Sequence, residues 1–162
     1  MHLKLAAAAL AGATLCAAAS AQAATDYVTV PLEVTVNASA DVAWKKISGF
    51  CDIGGWMHTT CEITSGKDHE VGAVRKIASR VDEVLVASTA WSYSYAQPKS
   101  PIDYHGTVEI RPIDKGHSKL LYTLVYDAAA LPHPENKDQD IANRTKQFTN
   151  VINVMKGIAE AK

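Results

Sequence analysis

Apolar and polar residues alternate along the chain from residue 27 onward. Between Tyr27 and Val36 nearly every second residue is apolar, and this period of two predicts a half-buried β-strand. Pro31 has no backbone N–H to donate, which favours a position at the edge of a sheet. The polar residues of 37–41 then end the strand and supply a helix N-cap.

Short N-terminal helices are predicted next, because apolar residues recur at roughly helical spacing. These residues are Val42, Trp44, Ile47 and Phe50. Glycines at positions 49, 54 and 55 interrupt the pattern, so we expect a second short helix near Ile53–His58.

The middle of the chain has the pattern of successive strands separated by turn residues. The predicted strands are Cys61–Ser65, Ala73–Ser79, Val81–Ala96, Tyr104–Pro112 and Lys119–Asp127. Val81–Ala96 is predicted as one long strand that stops before Pro98–Pro101. Short turns between consecutive strands favour an antiparallel meander.

An amphipathic helix is predicted at the C-terminal end, after a loop from Leu131 to Asp140. Its apolar stripe comprises Ile141, Thr145, Phe148, Ile152, Met155 and Ala159. Such a stripe must be covered, and the sheet is the only large partner available. We therefore predict an α+β fold, in which a curved antiparallel sheet wraps around a long C-terminal helix and short N-terminal helices precede it.

The first 23 residues have the three parts of a secretory signal peptide. A short positive start precedes the apolar run Leu5–Leu15, and small residues lead to a cleavage site at Ala23. The run is shorter than the roughly 20 apolar residues that span a bilayer. Leu15 before Cys16 is too bulky for a lipoprotein cleavage site. We predict a signal peptide over 1–23 and one domain over 24–162.

Cleavage changes the charge of the protein. Loss of Lys4 leaves 15 basic and 17 acidic residues, a net charge of −2. Binding to nucleic acid or to an anionic membrane would need a basic patch. We expect a periplasmic or secreted protein with no nucleic-acid partner and no stable membrane anchor.

Two cysteines remain after cleavage, Cys51 and Cys61. Export would carry them to an oxidising compartment, where such a pair usually forms a disulfide. Metal ligation is the alternative, but it needs further ligands close by, and His58 alone does not supply them. We predict the disulfide.

Motifs for nucleotide binding, nucleophilic catalysis and metal binding are absent. The chain has no Gly-rich phosphate loop, no dinucleotide fingerprint and no Gly-x-Ser-x-Gly elbow. Its histidines lack the spacing of zinc ligands, and the acidic loop at 133–140 lacks the glycine and the distal Glu of a calcium loop. We predict neither a cofactor nor a metal.

Aromatic and charged side chains on the strands remain as candidates. Alternation along Val81–Ala96 places on one face Glu83, Leu85, Trp91, Tyr93 and Tyr95. A three-residue turn near Ser79 would bring Arg75 opposite Glu83. Two interpretations stay open: ordinary core packing with a rim salt bridge of little weight, or an apolar pocket with a few polar anchors.

Several segments, in their order along the chain, resemble a known superfamily. They are Val36–Trp44 with Phe50 and Trp56, then Gly72–Arg75, Glu83–Leu85, Tyr93–Tyr95 and Tyr104–Val108. With the C-terminal helix they resemble the START-like, helix-grip (SRPBCC) superfamily, whose bacterial members are described as polyketide cyclase/dehydrase or lipid-transport proteins. The resemblance implies a cavity between the sheet and the long helix that binds apolar or amphipathic small molecules. It implies no particular reaction.

On this basis the residues of a binding site can be predicted. The pocket lining would comprise Trp56, Trp91, Tyr93, Tyr95 and Tyr104. Arg75 and Glu83 would be polar anchors, and the helix would contribute Phe148, Ile152 and Met155.

Three functions are compatible with these residues. We favour a periplasmic binding or carrier protein for a small hydrophobic or amphipathic molecule, because export removes the domain from cytosolic cofactors. An enzyme of the cyclase, dehydratase or isomerase type would use Glu83 or His58 for acid–base work. An accessory module for a periplasmic redox enzyme, such as methanol dehydrogenase, is the third and would need a periplasmic protein partner.

Overall fold

The structure, a computed structural model, describes residues 24–162, and the predicted signal peptide lies outside them. Three α-helices and seven strands make up this part of the chain. In order they are β1 (Tyr27–Val36), α1 (Ala40–Ile47), α2 (Ile53–Trp56), β2 (Cys61–Ser65), β3 (Val74–Ile77), β4 (Val81–Ser88), β5 (Ser92–Ala96), β6 (His105–Pro112), β7 (Ser118–Asp127) and α3 (Lys137–Glu160). Two short 3-10 helices, Ala128–Ala130 and Pro134–Asn136, connect β7 to α3.

The strands form one antiparallel sheet in the order β1-β7-β6-β5-β4-β3-β2. Strands β2 to β7 are therefore a meander, and β1 is added beside β7, as the short turns predicted. Pro31, on β1, lies opposite Thr123 of β7. Strand β1 has a neighbouring strand on one side only. An edge strand tolerates a residue without an N–H donor, so the predicted edge position is confirmed.

The prediction of one long strand over Val81–Ala96 is wrong. The segment is a hairpin whose strands β4 and β5 are joined by a turn at residues 89–91. The Thr89 backbone N–H donates to the Ser92 carbonyl at 2.8 Å, and the two hydroxyl groups lie 2.7 Å apart. The side chains of Ser and Thr form such local hydrogen bonds in place of the hydrogen bonds of an extended strand. The turn takes Trp91 out of the alternation that Tyr93 and Tyr95 follow.

The turn between β3 and β4 begins earlier than predicted, because Ala78 and Ser79 have left-handed backbone conformations with φ of 49° and 57°. Strand β3 therefore ends at Ile77 rather than Ser79. The predicted second helix is also shorter than expected. Helix α2 ends at Trp56, and His58 turns the chain with φ of 50°.

Helix α3 begins at Lys137, within the segment that was predicted to be a loop. Asp138 and Asp140 in its first turn suit the positive end of a helix dipole. The buried stripe consists of Phe148, Val151, Ile152, Met155 and Ala159, whereas Thr145 is exposed. This stripe packs on β1, α1 and β7, so the sheet wraps around the helix as predicted. In the described part of the chain, no helix combines the length and apolar character needed to cross a membrane.

A disulfide joins Cys51 to Cys61, as predicted from the sequence. It closes a segment that contains α2, so this short helix is tied at both ends. Arg75 adds a further tie, because its guanidinium donates to the carbonyl oxygen of Phe50, the residue before Cys51.

Candidate functional site

A cavity of about 230 Å³ lies between α2, the β3–β4 hairpin and α3. Its walls come from segments that are far apart in sequence. They are formed by Ile53, Met57, Thr59, Ile77, Ala78, Arg80, Val81, Glu83, Tyr95, Gln97, Tyr104, Tyr122 and Phe148. Most of these side chains are apolar or aromatic, and the charged ones are a single carboxylate and a single guanidinium.

Strand alternation explains why these side chains share one face. Tyr93 and Tyr95 on β5 are both buried, and Leu85 pairs with Tyr95 across β4 and β5. On the other side, Tyr95 pairs with Gly106 of β6. A Cβ at position 106 would lie 2.3 Å from the Tyr95 ring, so only glycine lets that ring lie flat across β6.

Arg75 and Glu83 pair across β3 and β4 in the register that the turn predicted. Nε of Arg75 donates to Oε2 of Glu83 at 2.7 Å, and Nη2 lies 2.5 Å from the same oxygen. The side chains are 0% and 3% exposed, so this is a buried ion pair and not a rim salt bridge. The Arg75 guanidinium also lies 4.2 Å from the Phe50 ring centroid and 4.8 Å from that of Tyr95.

The charges of this pair are balanced inside the protein. Burial is the largest single influence on the pKa of Arg75 and lowers it, but the negative charge of Glu83, together with smaller contributions from nearby tyrosines, outweighs burial and the pKa is raised. The other oxygen of Glu83, Oε1, accepts a hydrogen bond of 2.8 Å from Nε2 of Gln97. Both carboxylate oxygens are thus held in place, and Glu83 forms a fixed polar point in the cavity wall.

The tyrosines of the cavity present neutral hydroxyl groups. Burial raises the pKa of Tyr95 and of Tyr122 well above the ordinary value, and their hydroxyl oxygens lie 2.7 Å apart. Burial also raises the pKa of Tyr104. The phenol groups therefore act as hydrogen-bonding walls without charge. Within residues 24–162, no three His, Cys, Asp or Glu side chains are grouped so as to hold a metal ion.

Some of the predicted pocket residues line the cavity, others are buried elsewhere, and Trp91 does neither. Those that line the cavity are Glu83, Tyr95, Tyr104 and Phe148. Those that are buried but do not line it are Trp56, Arg75, Tyr93, Ile152 and Met155. Tyr93 instead packs against Trp44 and Phe50, with ring centroids 5.9 Å and 5.8 Å away.

Trp91 does not line the cavity, contrary to the sequence-based expectation. It lies in the β4–β5 turn, where its Nε1 donates to Oδ1 of Asp41 at 2.9 Å. His58, proposed above as an acid–base residue, is exposed in the turn after α2 and lines no part of the cavity. Both deviations follow from turns that the strand and helix patterns did not reveal.

Other lining residues were not predicted. Tyr122 shares the parity of the buried β7 residues Leu120 and Leu124, so alternation could have indicated it. Met57 and Gln97 directly follow regular elements, and Arg80 is in the turn directly before β4, so no periodicity constrains the direction of these side chains. Only the packing of α2 and the β3–β4 turn around the cavity brings them to it.

Residues 27–148 match the protein family described as polyketide cyclase / dehydrase and lipid transport. The chain belongs to this family. A comparison of the sequence with curated proteins found no match. The family and the fold are those of ligand-binding or cyclase-like proteins of the START-like superfamily, so the resemblance predicted from the sequence is confirmed.

Solved structures with the same architecture include proteins of different kinds. A protein from Nitrosospira multiformis is 16% identical, with a TM-score of 0.66 over 80% of this chain and 94% of that chain. The Zhui aromatase/cyclase from Streptomyces sp. R1128 is 18% identical, with a TM-score of 0.65 over 83% and 94% of the two chains. A norcoclaurine synthase variant from Thalictrum flavum is 15% identical, with a TM-score of 0.64 over 85% and 97%. At these identities the similarity establishes the helix-grip fold alone.

Proposed function

We propose that the mature protein is an exported binding or carrier protein for a small, largely apolar molecule. The observation that carries this proposal is the cavity between the sheet and α3. Rings and aliphatic side chains form most of its wall, and polar groups reach it at only a few points. Small-molecule sites are usually built in this way, with an apolar lining and a few polar groups that orient the ligand.

The volume of the cavity limits the size of the ligand. About 230 Å³ is below the roughly 300–1,000 Å³ of pockets for drug-sized molecules. A dry cavity of roughly 150 Å³ is enough for benzene. The space therefore suits a single ring with a short substituent better than a long acyl chain or a folded polyketide.

The proposal of export is supported by one feature of the sequence and one of the structure. Residues 1–23 have the composition of a signal peptide, and the Cys51–Cys61 disulfide is of the kind that persists in oxidising compartments. Expression of the full-length chain with a C-terminal tag, followed by cell fractionation and N-terminal sequencing, tests it. We expect periplasmic protein that begins at Ala24, and intact Met1 in the cytosol would contradict it.

Ligand binding can be tested by filling the cavity. Val81 on β4 lines it, whereas Val86 on the same strand is 46% exposed. We expect 3-phenylpropionamide to bind the mature protein in calorimetric titrations, Val81→Trp to abolish that binding, and the matched control Val86→Trp to leave it unchanged. Native mass spectrometry of protein from its own periplasm should show a bound molecule. An empty protein that also binds no single-ring compound would contradict the proposal.

An acid–base enzyme is the second candidate, because Glu83 places a carboxylate in the cavity wall. Two proteins with the same fold are named as an aromatase/cyclase and a norcoclaurine synthase. The experiment is to return the co-purified molecule to the protein and follow its mass. A carrier releases it unchanged, whereas an enzyme converts it and should lose turnover in Glu83→Gln under conditions in which circular dichroism shows that this variant is folded.

An accessory role beside a periplasmic redox enzyme stays a prediction. Affinity capture of the tagged protein from periplasmic extract tests it. Stoichiometric recovery of such an enzyme would support it, and recovery of none would count against it.

A further inference from the structure

Arg80 is a cationic side chain at the mouth of the cavity. It is the last residue of the β3–β4 turn, and it lines the cavity while it is exposed to solvent. The same residue also lines an open groove of about 190 Å³ on the outside of the hairpin, so it lies where the cavity meets the surface. Val81 and Gln97 are common to both spaces.

Every carboxylate that lines these two spaces already has a cation of its own. Glu83 is neutralised by Arg75, as described above. Asp82 binds Lys76 at 2.9 Å and Lys99 at 2.7 Å. Arg80, in contrast, has no carboxylate within ion-pair distance in the part of the chain that the structure describes. The charge left without a partner at the mouth is therefore positive, although the mature chain as a whole is acidic.

The interior of the cavity, in contrast to its positively charged mouth, favours an aromatic ring. The rings of Tyr95, Tyr104, Tyr122 and Phe148 form an aromatic wall. Aromatic walls favour flat rings in offset or edge-to-face contact. Arg80, in the turn before β4, lines the same cavity as these rings, so a ring among them and an acidic group at Arg80 can belong to one small molecule.

We propose, on the basis of the binding function proposed above, that the cavity takes a small aromatic carboxylic acid. Its ring lies among the tyrosines and Phe148, and its carboxylate meets Arg80 at the mouth. A guanidinium can hold a carboxylate through two parallel N–H···O hydrogen bonds, which a lysine cannot reproduce. Arg80 is then the residue that selects acids over neutral molecules of the same shape.

The test compares ligands that differ only at the head group. The probes are 3-phenylpropionate, 3-phenylpropionamide and 3-phenylpropylamine, titrated by calorimetry into the disulfide-bonded mature protein. We expect the carboxylate to bind roughly fivefold to tenfold more tightly than the amide, the size of a charge-assisted contact that solvent partly screens. This advantage should shrink as sodium chloride is raised, because salt screens an exposed charge.

Variants of the two exposed arginines identify the group that is responsible. Arg80→Gln should remove the preference for the carboxylate by lowering the affinity for the carboxylate more than the affinity for the amide, and Arg80→Lys should retain part of the preference. Arg111, on β6, pairs with Glu109 and lines no part of the cavity, so Arg111→Gln is the matched control and should change nothing. Circular dichroism of each variant verifies its fold.

The outcomes separate this inference from the binding function on which it rests. If the amide binds, is lost in Val81→Trp, and is not weaker than the carboxylate, the cavity binds ligands but Arg80 does not select them. Tighter binding of the amine would show that Glu83 selects the ligand instead, and would overturn the inference. If none of the three probes binds, the inference fails, and the binding function fails with it only if native mass spectrometry also finds the protein empty.

Discussion

The two faces of the β3–β4 hairpin carry similar charge pairs in consecutive registers, Arg75–Glu83 and Lys76–Asp82. The inner pair is closed off by rings and by α2, with both side chains at most 3% exposed. In the outer pair the Lys76 side chain is 34% exposed, and Lys99 joins it with a side chain that is 83% exposed. Two cation–carboxylate pairs that are adjacent along the strands therefore differ in environment: one is in the protein interior and the other is in contact with water.

This difference in environment determines what each pair contributes. A buried ion pair gains little over an apolar pair of the same shape, because both charges lose their hydration. Removing one partner, however, leaves the other charge buried and uncompensated. An exposed pair has water as an alternative partner, so its loss matters little. Both partners of the inner pair are thus needed for a stable fold around the cavity, whereas the outer pair mainly sets the local surface charge.

The largest effect is expected from breaking the inner pair. Glu83→Gln should lower the free energy of unfolding by about 3–5 kcal/mol, because it leaves Arg75 charged in an apolar environment. Urea denaturation measures this. The double variant Arg75→Met/Glu83→Gln removes both charges and should recover most of the loss. If the single variant were as stable as the wild type, the interior would not be closed to water.

The disulfide should have the next largest effect, because it holds α2 over the inner face. Replacing Cys51 and Cys61 by serine should lower the free energy of unfolding by about 2–3 kcal/mol, the entropic cost of releasing a loop of this length. Urea denaturation of the variant and of reduced wild type should give the same midpoint. Affinity for 3-phenylpropionamide should fall as well, since Ile53, Met57 and Thr59 lie in the released segment. Unchanged stability and affinity would mean that packing alone holds α2.

A methyl group on the inner face is expected to have a smaller effect. Gly106→Ala puts a Cβ 2.3 Å from the Tyr95 ring, and displacing that ring should cost about 1–3 kcal/mol of stability. Gly157→Ala is the control, because a Cβ at that position of α3 meets no atom within 4 Å. It should leave stability unchanged or raise it slightly, since alanine favours a helix. Equal effects of the two variants would contradict the close contact.

The smallest effect is expected on the outer face. Hydrogen bonds from Lys99 and Lys76 lower the pKa of Asp82 from 3.8 to about 2. A lowered pKa in the folded state adds stability above pH 3.8, and this contribution is lost as the pH falls toward 2. Wild type and Asp82→Asn should therefore converge in thermal midpoint on acidification. Carboxyl NMR of Asp82 measures the titration directly, and a midpoint near 3.8 would show that the lysines do not hold it.

Much of the fold could be predicted because strand and helix patterns are local. The alternation of β1, the meander and the register of Arg75 with Glu83 all follow from spacings within a few residues. The errors lie where the chain turns. Thr89 and Ser92 fold a predicted long strand into a hairpin, and Ala78 and Ser79 adopt left-handed conformations that non-glycine residues rarely show. The prediction for Trp91 was wrong because this residue lies in the turn between β4 and β5.

The sequence by itself determined which side chains share a face, because the period of a strand or helix assigns each residue to one side. It also determined the pairing of Arg75 with Glu83 and the chemistry available to the cavity. Only the tertiary structure decided that this pair is buried, that Arg80 lies at the mouth, and that Met57 and Gln97 reach the cavity. Burial and enclosure depend on how α2, the hairpin and α3 meet, and residues that meet across such distances leave no periodic signal in the chain.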